Sequence, residues 1–139
     1  MTILEGKGVS KYFGGLAAVS NLDFTVEHGE ALGLIGPNGA GKTTLFNLIS
    51  AALVPKSGTI RLKGKNITGL KPYKICRMGV ARTFQTVKVF ATMPVVNNVV
   101  LGAYFGMSPG LSSLDAVVKA SEILEFVGLS EMKETPAKD

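Results

Sequence analysis

The stretch GPNGAGKTT at residues 36–44 constrains the fold of this chain more than any other. Gly36, Gly41, Lys42 and Thr43 satisfy the pattern G-x-x-x-x-G-K-[ST], which marks a phosphate-binding loop when a strand precedes it and a helix follows it. Glycine tolerates positive φ angles, so successive backbone amides can turn inward and form a nest for an anion. The pattern predicts that this chain binds a nucleoside triphosphate.

The residues on either side of this loop are those of the required strand and helix. Residues 31–35 read ALGLI, an apolar run typical of a parallel strand covered on both faces. After Gly41 the apolar positions recur at helical spacing, at Leu45, Leu48, Ile49 and Ala52. We therefore expect the loop to join a buried strand to a helix, whose first turn adds roughly half an elementary positive charge.

Each residue of the loop has a predicted role in binding. Lys42 is expected to reach the β- and γ-phosphates, and the Thr43 hydroxyl to coordinate Mg²⁺. The other phosphate-binding residues are Asn38, Gly39, Ala40, Gly41 and Thr44.

Two segments outside the loop show the period-2 alternation of half-buried strands. Leu22, Phe24 and Val26 alternate with polar residues, and Ile60 and Leu62 do the same after a turn. This pattern predicts antiparallel strands with one face in water.

The second half of the sequence favours helices. Thr92 is a predicted N-cap, with Pro94 tolerated in the first turn of the helix that follows. Ser112 or Ser113 is expected to cap a second helix that ends at Gly128. Its predicted apolar face consists of Ala116, Ala120, Ile123 and Val127.

Composition excludes several classes of protein. No apolar run approaches the 18 to 20 residues or so that cross a bilayer, and the N-terminus lacks the apolar centre of a signal peptide, so a cytosolic chain is expected. The net charge of +5 suits a polyanion, but the basic residues are dispersed along the sequence. We therefore interpret them as solvated and expect no nucleic-acid partner.

Taken together, SKYFGG, GPNGAGKTT and ARTFQ resemble the first half of an ABC transporter ATP-binding subunit. More narrowly, FGGLAAV at 13–19 and RTFQ at 82–85 resemble the subunits of branched-chain or hydrophobic amino-acid importers. The resemblance implies an α/β phosphate-loop NTPase fold in partial form, with an antiparallel β subdomain, the loop strand and helix, and the start of a helical subdomain. It divides the chain into a nucleotide-binding part, 1–85, and an incomplete helical part, 86–139, and implies ATP and Mg²⁺ as cofactors.

The resemblance also assigns two residues outside the loop. Phe13 matches the aromatic ring that the family stacks on adenine, and the adjacent Tyr12 is the alternative. Gln85 matches the glutamine that contacts Mg²⁺ and the attacking water, and it joins Lys42 as a predicted catalytic residue.

Further implications of the resemblance concern partners and location. A second ATP-binding subunit is expected head-to-tail, and a transmembrane permease is expected to contact the stretch from Thr86 to Val99. Asn97 stands where relatives commonly have glutamate, so no charged contact is assumed there. The intact protein is expected at the inner face of the cell membrane.

Several family motifs do not occur in these 139 residues. The sequence has no signature motif, no apolar run ending in Asp-Glu and no switch histidine, because His28 lies in a predicted surface turn. We therefore expect a fragment that binds nucleotide, hydrolyses it poorly and leaves residues 31–35 without a neighbouring strand. The alternatives are an ABC ATPase for another solute or without a membrane domain, and a nucleotide-binding module without catalysis.

Overall fold

The computed structural model describes residues 1–84, 86, 88–106 and 111–138. The chain separates into two compact units, Met1–Met78 and Gly79–Asp139. The first unit contains β1 (Thr2–Phe13), β2 (Leu16–Glu27), α1 (Lys42–Ile49), β3 (Ser57–Leu62), β4 (Lys65–Asn66) and α2 (Pro72–Arg77). The second contains α3 (Val95–Gly106), α4 (Ser113–Phe126) and a 3-10 turn (Ser130–Met132). No helix within the described ranges is both long and apolar enough to cross a membrane.

The sheet of the first unit is antiparallel throughout, with the strand order β2-β1-β3-β4. Along β2, Leu22, Phe24 and Val26 are half-buried and the residues between them are exposed. Along β3, Ile60 and Leu62 are buried on either side of exposed Arg61. The predicted one-sided antiparallel strands are confirmed.

The core of the first unit lies on one face of this sheet. Val9, Ile60, Ile67 and Ile75 are almost completely buried, and α1 adds Leu45 and Leu48. At the far end of the β1–β2 pair, the Met1 ammonium and the Thr2 hydroxyl donate to Glu27, which lowers the pKa of that carboxyl group. His28 follows in an exposed turn, as predicted.

Residues 31–35 do not form the predicted strand. They have no regular secondary structure and are exposed, with Leu32 56% and Ile35 96% accessible. A strand needs a neighbour to satisfy its amides and carbonyls, and no described strand pairs with this segment. The expected exposure of apolar surface in this segment is observed.

Helix α1 is shorter than its apolar spacing predicts. Leu45 and Leu48 are buried as expected, but the helix ends at Ile49 and leaves Ala52 exposed beyond it. The Ser50 hydroxyl donates to the Phe46 carbonyl at 2.7 Å, and Ala51 turns to a positive φ of 55°. A side chain bonding the last carbonyls and a left-handed residue together stop the helix.

Small side chains bring α3 and α4 together in the second unit. Ala103 on α3 and Ala116 and Ala120 on α4 are buried, which indicates close approach of the two backbones. Leu124 completes the buried face of α4, whereas Ile123 and Val127 of the predicted face are 37% and 52% exposed. The buried face of α4 therefore consists of Ala116, Ala120 and Leu124, spaced four residues apart, and the prediction was wrong at Ile123 and Val127.

Both ends of α4 are closed by local contacts. The Ser112 hydroxyl accepts from the Asp115 amide at 3.1 Å and the Asp115 carboxylate accepts from the Ser112 amide, so Ser112 is the cap of the two predicted. At the other end, the amides of Gly128 and Leu129 donate to the carbonyls of Glu125 and Leu124, with φ of 73° at Gly128. The predicted stop at Gly128 is confirmed.

The start of α3 differs from the prediction, because Thr92 is not its cap. The helix begins at Val95, and the amides of Val95 and Val96 donate to the carbonyls of Thr135 and Lys133 at 3.0 and 2.9 Å. We call residues 133–138 the strap. Backbone carbonyls from about 40 residues further along the chain thus replace the local side-chain cap that the sequence suggests.

Candidate functional site

The phosphate loop, residues 36–41, turns through two left-handed glycines. Gly39 has φ of 85° and Gly41 has φ of 83°, values that residues with a Cβ adopt only at a cost. The Ala40 amide donates to the Pro37 carbonyl at 3.2 Å, which closes the turn between them. Residues 36–40 are exposed, so the concave side of the loop is open to a ligand.

Gly41 also fixes the loop against the sheet. A Cβ at this position would lie far inside van der Waals distance of the Ala18 carbonyl oxygen and 3.5 Å from Val19 Cγ2. Only glycine allows the backbone to approach β2 this closely while turning into the helix. The contact places the loop beside the β1–β2 pair, and no residue-type pattern around Ala18 signals it in the sequence.

Helix α1 begins at Lys42 with its first turn open. Gly41 has no side chain to cap it, and the first turn contains no acidic residue. The first amides of a helix have no acceptor within the helix itself. The amides of Lys42, Thr43 and Thr44 therefore combine with the positive end of the helix dipole into a site suited to an anion.

Lys42 is held inside the loop that precedes it. Its ammonium donates to the carbonyl oxygens of Gly36 at 2.5 Å and Pro37 at 2.7 Å, and the residue is half-buried. These contacts place the positive charge on the loop and keep it from extending into solvent. Sequence reasoning identified Lys42 but missed its two carbonyl partners, because a backbone oxygen has no residue-type signature.

The residues present fit a magnesium nucleotide. Thr43 is exposed in the first turn of α1, the turn whose backbone amides have no side-chain cap. Within residues 1–84, 86, 88–106 and 111–138 no cluster of three or more His, Cys, Asp or Glu side chains forms a metal cage. Mg²⁺ is commonly bound by one or two protein oxygens together with substrate phosphates, so a single hydroxyl beside a phosphate nest suits this ion.

Phe13 and Tyr12, the predicted adenine-stacking alternatives, both lie at the end of β1. Their exposed fractions, 48% and 44%, are nearly equal. The Lys11 ammonium lies 5.7 Å from the centre of the Phe13 ring and donates to the Val54 carbonyl. Consecutive strand residues point to opposite faces, so the two rings present themselves on different sides of the hairpin.

The predicted site residues fall into three groups. The structure brings Asn38, Gly39, Ala40, Gly41, Lys42, Thr43 and Thr44 together as one loop and helix start. Phe13 belongs to the hairpin whose second strand touches Gly41 through Ala18. Gln85 lies outside the described residues, so its contact with Mg²⁺ and the attacking water stays a prediction.

Comparisons with known proteins cover most of the chain. The ABC transporter family profile matches residues 19–139. The chain is similar to BraF of Pseudomonas aeruginosa, a high-affinity branched-chain amino acid transport ATP-binding protein, with 39% identity over 141 residues and coverage of 93% of this chain and 55% of BraF.

Solved structures extend the similarity to the fold. An ATP-binding cassette of an ABC transporter in its ADP conformation matches with a TM-score of 0.81 at 35% identity, covering 100% of this chain and 59% of that chain. A dimeric cassette bound to ADP and Pi shares the fold, with a TM-score of 0.80 at 22% identity and coverage of 96% and 61%. The chain spans little more than half the length of these proteins, and the predicted partial phosphate-loop fold is confirmed.

The contact between Gly41 and Ala18 predicts unequal effects of two similar substitutions. Gly39→Ala adds a methyl group in open space, so its cost is the left-handed φ alone, about 1–2 kcal/mol. Gly41→Ala carries the same strain and also overlaps the Ala18 carbonyl, for roughly 1–3 kcal/mol more. Denaturant unfolding of the two variants measures the difference, and equal losses would contradict the close approach.

Proposed function

Because the chain belongs to the ABC transporter family, we propose that it forms the nucleotide-binding part of a subunit that powers import of branched-chain or other hydrophobic amino acids by binding and hydrolysing ATP. The open start of α1 behind a glycine-turned loop carries the nucleotide part of this proposal. The name of the 39% identical BraF supports the class of solute. The proposed division places the nucleotide-binding residues in 1–85 and the helical part in 86–139.

Backbone amides and Lys42 would hold the triphosphate. Asn38, Gly39, Ala40, Gly41 and Thr44 would contribute amides around the phosphate oxygens. In the structure the Lys42 ammonium donates to two neutral carbonyl oxygens, and an anionic phosphate is a stronger acceptor for it. When the nucleotide binds, the Lys42 ammonium would therefore exchange its two carbonyl partners for phosphate oxygens, and its charge would stay at the loop.

Thr43 and Gln85 would serve the metal ion in this proposal. Mg²⁺ would neutralise charge on the phosphates, while the Thr43 hydroxyl and the Gln85 amide would supply protein oxygens. The Gln85 amide can also accept a hydrogen bond from water and donate one to an anion. Lys42 and Gln85 are accordingly the catalytic residues proposed within this chain.

Two protein partners complete the proposed transporter. A second copy of the subunit would dock head-to-tail across the nucleotide, as an ABC cassette of the same fold has a dimeric structure. A transmembrane permease would contact the stretch from Thr86 to Val99, and the subunit would lie at the inner face of the cell membrane. An ABC ATPase for a different solute or without a permease is the alternative.

ATP binding is tested through Lys42. At a Mg-ATP concentration 100 times the dissociation constant, binding should raise the free energy of unfolding by about 2.7 kcal/mol. Lys42→Met keeps the aliphatic stem but removes the charge, so the increase should disappear. Lys56→Met, at an exposed lysine outside the loop, should retain it. If Mg-ATP still stabilised Lys42→Met by this amount, the nucleotide would have to bind at a site other than the phosphate loop.

The two aromatic residues at the end of β1 are tested with two ligands. If Phe13 stacks on adenine, Phe13→Ala should weaken ATP binding by about 1–2 kcal/mol. The binding of inorganic triphosphate should be unchanged, because that ligand has no base. Tyr12→Ala is the matched control and should affect neither ligand. Calorimetric titration of both variants gives the comparison, and the reverse pattern would assign the stacking role to Tyr12.

For the 139-residue chain alone, a nucleotide-binding module without catalysis is the second candidate. No aspartate or glutamate occurs between Glu30 and Asp115, so the loop, α1 and the Gln85 segment contain no carboxylate to act as a general base. Nucleotide should therefore bind with very little turnover. Phosphate release is the assay, and turnover of about 1 s⁻¹ or more, in the range typical of enzymes, that disappears in Lys42→Met would refute this expectation.

A further inference from the structure

The Lys11 ammonium joins two parts of the first unit at the end of β1. It donates to the Val54 carbonyl oxygen at 2.8 Å and lies over the Phe13 ring, 5.7 Å from the ring centre. A cation within about 6 Å of a ring centre is attracted by the negative face of the ring. One half-buried side chain therefore contacts both the ring predicted to stack on adenine and a backbone group that lies beyond α1.

Val54 belongs to the segment that connects α1 to β3. Just before it, the Leu53 amide donates to the Asn47 carbonyl in the last turn of α1, at 3.0 Å. Just after it, the Lys56 amide donates to the Ser10 carbonyl of β1, at 2.7 Å. The acceptor of the lysine ammonium therefore lies between one hydrogen bond to the helix that begins at the phosphate loop and one to the strand that carries the ring.

The Phe13 ring lies beside an open turn. Phe13 precedes Gly14 and Gly15 at the tip of the β1–β2 hairpin, and its ring is 48% exposed. Apart from chain neighbours, a Cβ at either glycine would meet no atom of the described residues within 4 Å. Ordering an exposed side chain when a ligand binds costs conformational entropy. The contact with Lys11 restricts the ring before any nucleotide binds.

The position of the ammonium also determines which face of the ring is free. Lys11 and Phe13 are two residues apart on β1, the spacing at which side chains share one side of a strand. The ammonium lies over one face of the ring, so a base can stack only on the other face. Within the described ranges no ammonium or guanidinium lies over the Tyr12 ring. Of the two stacking alternatives, only Phe13 is therefore held by a cation.

We propose that Lys11 is a positioning residue that holds the Phe13 ring for stacking on the adenine of the bound nucleotide. This role rests on the proposed function and adds to it a residue outside the phosphate loop. Among the described residues the Lys11 ammonium pairs with no carboxylate, so its charge acts on the ring. Through Val54 the ring is also connected to the segment that follows α1.

Calorimetric titration with ATP and inorganic triphosphate tests the positioning role. Lys11→Met keeps the aliphatic stem and removes the charge, so its dissociation constant for ATP should rise about two- to fivefold. Its dissociation constant for inorganic triphosphate should change no more than that of Lys56→Met, which removes one exposed charge two residues from Val54. Lys11→Arg should bind ATP as the wild type does, because a guanidinium also donates to carbonyls and lies over aromatic faces.

Three outcomes of this titration would overturn the role of Lys11, each for a different reason. If Lys11→Met weakens both ligands equally, the lysine acts through its charge alone. If Phe13→Ala weakens ATP binding and Lys11→Met does not, Phe13 keeps its stacking role without help from Lys11. If Phe13→Ala itself leaves ATP binding unchanged, the proposed base site fails and the role of Lys11 fails with it.

A double-mutant cycle without nucleotide tests the contact itself. If the ammonium and the ring attract each other, Lys11→Met and Phe13→Ala together should lower the free energy of unfolding by less than the sum of their separate effects. Lys56→Met combined with Phe13→Ala is the control and should give additive losses. Additive losses in the Lys11 cycle would show that the lysine does not hold the ring, whatever the ligands do.

Discussion

The close approach of Gly41 to the Ala18 carbonyl is the contact on which the site depends. It joins the phosphate loop to β2, and β2 pairs with the strand that ends in Tyr12 and Phe13. One backbone contact therefore connects the two parts predicted to bind phosphate and base. Because only glycine permits both this approach and φ of 83°, the position combines a steric and a conformational requirement.

In the described part of the chain, the three longer helices differ in what their first backbone amides contact. Helix α4 closes its start with the side chains of Ser112 and Asp115, and α3 closes its start with carbonyls of the strap. Helix α1 begins at Gly41 with no side-chain cap. A missing cap costs about 1 kcal/mol, and a bound anion offsets that cost. Of these three helices, the one with an open start is the one that follows the phosphate loop.

Local chemistry explains which features could be predicted from the sequence. The loop, the alternating strands, a cap at Ser112 or Ser113 and the Gly128 stop each depend on residues within a few positions of one another, and all were predicted. Two of the failures involve distant backbone groups: residues 31–35 pair with no strand among the described residues, and α3 is capped from the strap and not by Thr92. The carbonyl partners of Lys42 lie only five and six residues away, and they were missed because backbone acceptors leave no mark on residue type.

The strap also determines when the start of α3 can fold during synthesis. Val95 and Val96 emerge from the ribosome long before Lys133 and Thr135, so the start of α3 must remain hydrated or unformed until those carbonyls arrive. The carbonyls of Ala91 and Met93, just before α3, accept from the amides of Lys138 and Ala137, so this turn gains its native hydrogen bonds only after residue 138 has left the exit tunnel.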